Sequence, residues 1–207
     1  LAFALHEIER RGLIRVTNYG EYLVLHPPSW KVEIHEHTSW SCAHGVERWR
    51  SGCSCGTGPA EWQHTWRAPL RETLDWLKAR LDERFERHGA DIFRDPWAAR
   101  DAYIDVLLRC DAESRAAFLA THSRHALRGE ARVRASQLLE MQRQALLMFT
   151  SCGWFFDEPS GIETVQVLTY AARALQLATE LGAYLEPEFV RRLQPLRSNL
   201  PLYADGH

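Results

Sequence analysis

Beyond residue 59 apolar residues recur at the helical period through most of the chain. Leu70, Leu74, Leu77, Leu81 and Phe85 fall on one face of a helix, which predicts a helix from Pro59 to about His88, closed by Gly89. Asp95-Pro96 reads as an N-cap followed by proline at the first helical position, opening a helix to about Arg109. A weaker, alanine-rich helix is predicted from Asp111 to about His122, and a strong one after Gly129-Glu130 to about Phe149. Val165, Leu168, Ala171, Ala172, Leu175 and Ala178 make a broad apolar face over Ile162 to about Leu181, as expected of a helix buried among others. Pro187 opens a last helix to about Arg197.

The start of the chain is patterned differently. Residues 2–11 read as the end of an amphipathic helix with Phe3, Leu5 and Ile8 apolar, stopped by Gly12. Leu13-Ile14-Arg15-Val16 predicts a short strand, and Tyr19 to Leu25 a helical turn or a second strand, ended by Pro27-Pro28. Helix, glycine, strand is the grammar of an α/β unit. The expected fold is therefore mainly α: an α/β remnant over residues 1–30, then a helical bundle over 31–207. The chain opens in mid-helix, and Ala204-Asp205-Gly206-His207 suggests a turn into further structure, so a piece of a longer protein is expected.

Between these regions lies Glu36 to Trp66, with four of the eight tryptophans, three of the five cysteines and His37, His44 and His64. Gly45, Gly52, Gly56, Gly58 and Pro59 rule out a long helix before about residue 59. A loop of this length inside a domain is usually functional or held by something. A second aromatic loop spans residues 150–161.

Composition narrows the class. The hydrophobic fraction of 45% suits a globular core, and the net charge is −2 with no basic stripe, which argues against nucleic acid. Only Lys31 and Lys78 are lysine, an arginine bias that reads as genome composition. No apolar run is long enough for a bilayer, and no signal segment opens the chain. Five cysteines without an export signal (Cys42, Cys53, Cys55, Cys110, Cys152) favour a reducing cytoplasm, with thiols or a metal rather than disulfides.

Three sets of residues carry candidate chemistry. Cys42-x-His44 and Cys53-x-Cys55 have the ligand types of a zinc site, with Cys152 as a substitute fourth ligand. The spacing is not that of a common zinc finger, and buried free thiols are the competing reading. Disulfides Cys42–Cys53 or Cys53–Cys152 are less favoured. Zinc is the one cofactor candidate; otherwise none is expected. Trp40, Trp49, Trp62, Trp66 and Trp154 read either as core or as flat faces for a sugar, whereas Trp76 and Trp97 on helices read as core. The carboxylates of His35-Glu36-His37, Asp157-Glu158 and Glu163 are available for acid–base work, but a structural role is the simpler reading for each. No phosphate loop, nucleophile elbow or kinase signature is present, and no catalytic residue is assigned.

Thr38 to Arg50 (TSWSCAHGVERWR), Cys53, Cys55 and the run from Trp62 through Trp66 to Arg71 are followed by Asp95-Pro96-Trp97, Arg100, Asp101 and Tyr103. Then come Met148 to Phe156 (MFTSCGWFF) and Gly161 to Ala174 (GIETVQVLTYAARA). Together these resemble the uncharacterised C-terminal domain behind the catalytic barrel in a branch of glycoside hydrolase family 57, over most of residues 20–200. Better-studied members are α-amylases, glucanotransferases and branching enzymes, with a Ser-Trp-Gly loop and a Ser-Asp-Trp-x-Phe segment in their helical part. Ser39-Trp40-Ser41 and Ser151 to Phe155 are similar in character, but Gly153 stands where those relatives have Asp. The resemblance implies a truncated (β/α) barrel ending near residue 30, with the Glu/Asp catalytic pair on barrel strands upstream. It also implies an α-glucan as the partner, contacted by Trp40, Trp49, Trp62 and Trp154 as stacking platforms and by His44, Arg48 and Glu163 as hydrogen-bonding groups. The chain alone is expected to be inactive. Two rival readings remain: a structural module clamped by Cys42, His44, Cys53 and Cys55, and a partner-binding domain whose aromatic surface another protein covers.

Overall fold

A computed structural model describes all residues except Leu13, Cys110, Ala204 and His207. The chain divides into two compact units, residues 1–37 and 38–207.

The first unit holds α1 (Ala2–Arg11) and α2 (Tyr19–Leu25). Gly12 caps α1 in the left-handed conformation, its N–H reaching the carbonyls of Ile8 and Glu9, and the Asn18 side chain caps α2 by accepting from Glu21 N. The strand expected over 13–16 is not formed: Ile14 to Val16 makes no β-ladder with another segment among the described residues, and Leu13 lies outside them. A strand needs a partner for its backbone donors and acceptors, and a tetrapeptide supplies none by itself. The described residues of this unit are helix and irregular chain, none of them buried.

The second unit is helical: α3 (Glu47–Arg50), α4 (Arg67–Ile92), α5 (Pro96–Ala102), α6 (Ile104–Arg109), α7 (Ala112–His122), α8 (Gly129–Leu147), α9 (Cys152–Phe155), α10 (Ile162–Glu180) and α11 (Glu186–Leu193). Its centre is a bundle of α4, α8 and α10, with α11 and α5 laid against α4. The α4 stripe Leu70, Leu74, Leu77, Leu81 and Phe85 is fully buried against Ala135, Leu138, Leu139, Met141 and Ala145 of α8 and the inner face of α10. Each such leucine contributes on the order of 1.5–3 kcal/mol through removal from water. The alanines of α10 keep that helix close to α8.

Several boundaries depart from the pattern, each for an identifiable reason. Helix α4 starts at Arg67, not Pro59, because the amides ahead of it are engaged elsewhere: Gln63 N donates to Asn199 Oδ1 and Thr65 N to Gln63 Oε1. It continues through Gly89 to Ile92, where the missing side chain admits Pro96; a Cβ there would lie 3.0 Å from the proline Cβ. The helix expected from Pro96 to Arg109 is broken at Tyr103, whose hydroxyl donates to Glu140 Oε1 on α8. In α10 the buried face runs through Thr164, Val167, Ala171, Ala174 and Ala178, so Val165, 47% exposed, and Ala172 point outward, against expectation. Thr164 is drawn inward because its hydroxyl donates to Gly153 O at 2.7 Å. Helix α11 ends at Leu193, short of Arg197, ahead of Pro195. The Asp95 cap forms as read, accepting from Ala98 N, and Asp111, expected only as the start of its helix, caps α7 by accepting from Ser114 N. No described helix is long and apolar enough to cross a membrane.

Candidate functional site

The loop of residues 38–66, the 150–161 loop and the segment after α11 meet around two buried side chains, Arg67 and Asp157. Arg67 is fully buried at the start of α4. Its Nη1 donates to the carbonyls of Cys53 (2.8 Å) and Cys55 (2.9 Å), its Nη2 to Phe156 O (3.0 Å) and, at longer range, to Phe155 O and Asp157 Oδ1. Asp157 Oδ2 accepts from Thr57 N (2.7 Å) and Gly58 N (2.5 Å), and Oδ1 from His64 Nε2 (2.7 Å). An ionised carboxylate only accepts, so the proton of this last bond resides on Nε2. Gly56 and Gly58 permit the approach: a Cβ on Gly56 would sit 2.5 Å from Asp157 Oδ1.

The adjoining Glu158 accepts from Ser198 Oγ, Asn199 N and Ser160 N. Burial opposes ionisation of Asp157 and Glu158, but these donors outweigh it and hold both carboxyls below their ordinary range. A depressed folded value contributes stability that is complete above the unfolded values, about 3.9 for Asp and about 4.3 for Glu. It is lost as the pH falls through the folded values. Urea unfolding midpoints are therefore expected to fall on acidification below about pH 4, and the Asp157→Asn variant to show a shallower dependence there. Equal slopes in the two proteins would remove Asp157 from this account.

A cavity of about 490 Å³ opens beside the hub, lined by Ser54, Pro59, Trp62, Gln63, His64 and Thr65 among others. Of the residues expected to contact sugar, only Trp62 is in this wall. Trp40 is 92% exposed, its ring 6.0 Å from that of Phe155. Trp49 is half-buried and its indole N–H donates to Ser151 O. Glu163 is half-buried in the first turn of α10. Two expectations are corrected. Trp154 is 1% exposed, with its N–H donated to Arg67 O, so no ring face is open to a ligand. Arg48 is buried as well, donating to Phe155 O and Ser41 O and stacking on the Phe155 ring at 4.9 Å. Trp66, also fully buried, donates to Asp157 O.

The second focus is the cysteine/histidine set. Cys42 Sγ lies 3.6 Å from Cys53 Sγ, 3.9 Å from Cys55 Sγ and 3.7 Å from His44 Nδ1, and Cys55 Sγ lies 3.3 Å from that nitrogen. All four ligand atoms fall within 4.8 Å of one another, a cluster that can hold a metal such as zinc. Neither disulfide is formed: Cys42, Cys53, Cys55 and Cys152 are free thiols, and Cys152 is exposed and outside the cluster. Burial pushes the Cys53 thiol up, but the N–H of Cys55 and the Cys42 and Arg48 side chains more than offset it. Burial and the adjacent Cys42 and Cys53 push Cys55 up.

Sequence reasoning named His64 only as a loop histidine and Arg67 only within the run to Arg71, and gave neither a role. The only local signal was the pair of glycines at 56 and 58, placed where backbone must approach a neighbour.

Fold and site together define a helical domain whose Cys/His-rich loop is tied to the bundle by a buried Arg–Asp hub. The profile of the family described as Domain of unknown function (DUF3536) matches residues 62–207, and the chain belongs to that family. Comparison with curated proteins and with solved structures returned no match.

Proposed function

We propose that this chain is the helical accessory domain of a glycoside hydrolase family 57-like enzyme acting on α-glucans. Residues 1–30 are read as the last piece of the catalytic barrel, with the catalytic Glu/Asp pair on its strands upstream, and the setting as a reducing cytoplasm. The motif resemblance suggests the class, and the carrying observation is the cavity of about 490 Å³, a size that suits a sugar unit or two. Trp62 offers its wall an aromatic face, and Ser54, Gln63 and Thr65 offer groups for hydroxyls. Trp40, almost wholly in solvent, is the candidate for a second platform further along the chain of sugars. The buried Trp154 and Arg48 serve by shaping the loop rather than by touching substrate.

Trp62→Ala is expected to weaken binding of a maltooligosaccharide about tenfold, or about 1.4 kcal/mol. Calorimetry on the native chain reads this directly, with circular dichroism confirming the fold, and the chain alone should release no reducing sugar. Undiminished affinity in the variant would exclude the cavity as the subsite. Absence of any α-glucan binding by the native chain would favour the second reading, a Cys/His-clamped structural or partner-binding module without substrate contact. The compact cluster of four metal-type ligands favours that reading independently.

A further inference from the structure

We propose that Cys42, His44, Cys53 and Cys55 form a closed, four-coordinate zinc site that acts as the internal clamp of the 38–66 loop. A tetrahedral zinc with Zn–S near 2.3 Å and Zn–N near 2.0 Å requires S···S separations of roughly 3.8 Å and S···N separations of roughly 3.5 Å. The observed sulfur–sulfur distances of 3.6 and 3.9 Å and sulfur–nitrogen distances of 3.7 and 3.3 Å bracket those values. All four ligand atoms lie within 4.8 Å of one another, as ligation of one shared ion requires. A disulfide would draw two sulfurs to about 2.05 Å and leave the third aside.

The surroundings fit in charge. Three thiolates around a divalent ion leave one net negative charge. Arg67 is buried with its guanidinium on the Cys53 and Cys55 carbonyls, and buried Arg48 donates to Ser41 O, next to Cys42. Among the described residues, Asp157 is the one carboxylate paired with either arginine. A singly negative metal centre supplies the second anion that two buried cations call for. Soft thiolates select zinc over magnesium or calcium, and four protein ligands leave no position open for water, so the site is structural rather than hydrolytic.

The ligands arrive from two turns: Cys42 and His44 precede α3, and Cys53 and Cys55 follow it. One ion thus staples both ends of that short helix. Cys53 also lines the cavity, so the ion fixes part of its wall. This inference stands whether or not the cavity takes a glucan.

The test uses the full chain expressed with zinc supplied. Elemental analysis should find one zinc per chain, and cobalt substitution should give a thiolate charge-transfer band with tetrahedral ligand-field bands. His44→Ala and Cys55→Ser should each weaken zinc binding by more than about 100-fold, beyond the loss typical of an outer-shell partner. His44→Cys should keep the metal, and so should Cys152→Ser. His44 is exposed, so its variants do not disturb the core. Far less than one zinc per chain, an octahedral cobalt spectrum, or equal metal loss in Cys152→Ser and Cys55→Ser would each overturn the proposal.

Discussion

Arg67→Met is expected to destabilise the domain by about 3–5 kcal/mol, the cost of removing one partner from a buried ionic network. Methionine keeps much of the bulk and removes every donor. The carbonyls of Cys53, Cys55 and Phe156 and the Asp157 carboxylate would then lose their shared partner. For a unit of this size the melting temperature should fall by roughly 10–15 °C. Arg67→Lys should recover only part of the loss, since one ammonium cannot span carbonyls on two separate loops as the guanidinium fork does. Thermal unfolding of the three proteins decides it: a drop of less than about 1 kcal/mol for Arg67→Met would mean the loops are held by something else.

Trp154→Ala is expected to cost about 3–5 kcal/mol, as a large core residue truncated to a small one. The ring is enclosed where α9 meets α10, and its N–H anchors the first turn of α4 through Arg67 O. Next to it, Gly153 is packed so tightly on α10 that an added Cβ would lie 2.5 Å from Val167 Cγ2, so the backbone has little room to fill the space left. Trp40→Ala, by contrast, removes a ring that is almost wholly in solvent and should change stability by less than about 0.5 kcal/mol. Urea denaturation of both variants separates the roles. A Trp154→Ala protein as stable as the parent would return that ring to the list of ligand contacts.

How much of this was readable beforehand depended on the distance over which each feature is decided. The α4 stripe, the Asp95-Pro96 cap and the existence of a helix from Ile162 follow from residues within a turn or two of each other. Helical period and capping are local properties, so these elements were legible. The ligand types of the cysteine/histidine set were legible too, because Cys-x-His and Cys-x-Cys announce their chemistry wherever they fold. Hydropathy could not distinguish Val165 from Val167, since the choice between them rests on a threonine hydroxyl reaching a carbonyl eleven residues away in sequence.

Local pattern alone specifies a helical domain with a glycine-broken, metal-type loop in front of it. Long-range packing is what makes Trp154, Trp66 and Arg48 interior while Trp40 and Trp62 are reachable, for a tryptophan looks the same in a core and on a cleft wall. The same packing brings Arg67 to Asp157, ninety residues on, and sets His64 beside it. A buried charge is tolerated where its partners converge, and in this chain those partners come from segments that no local pattern connects.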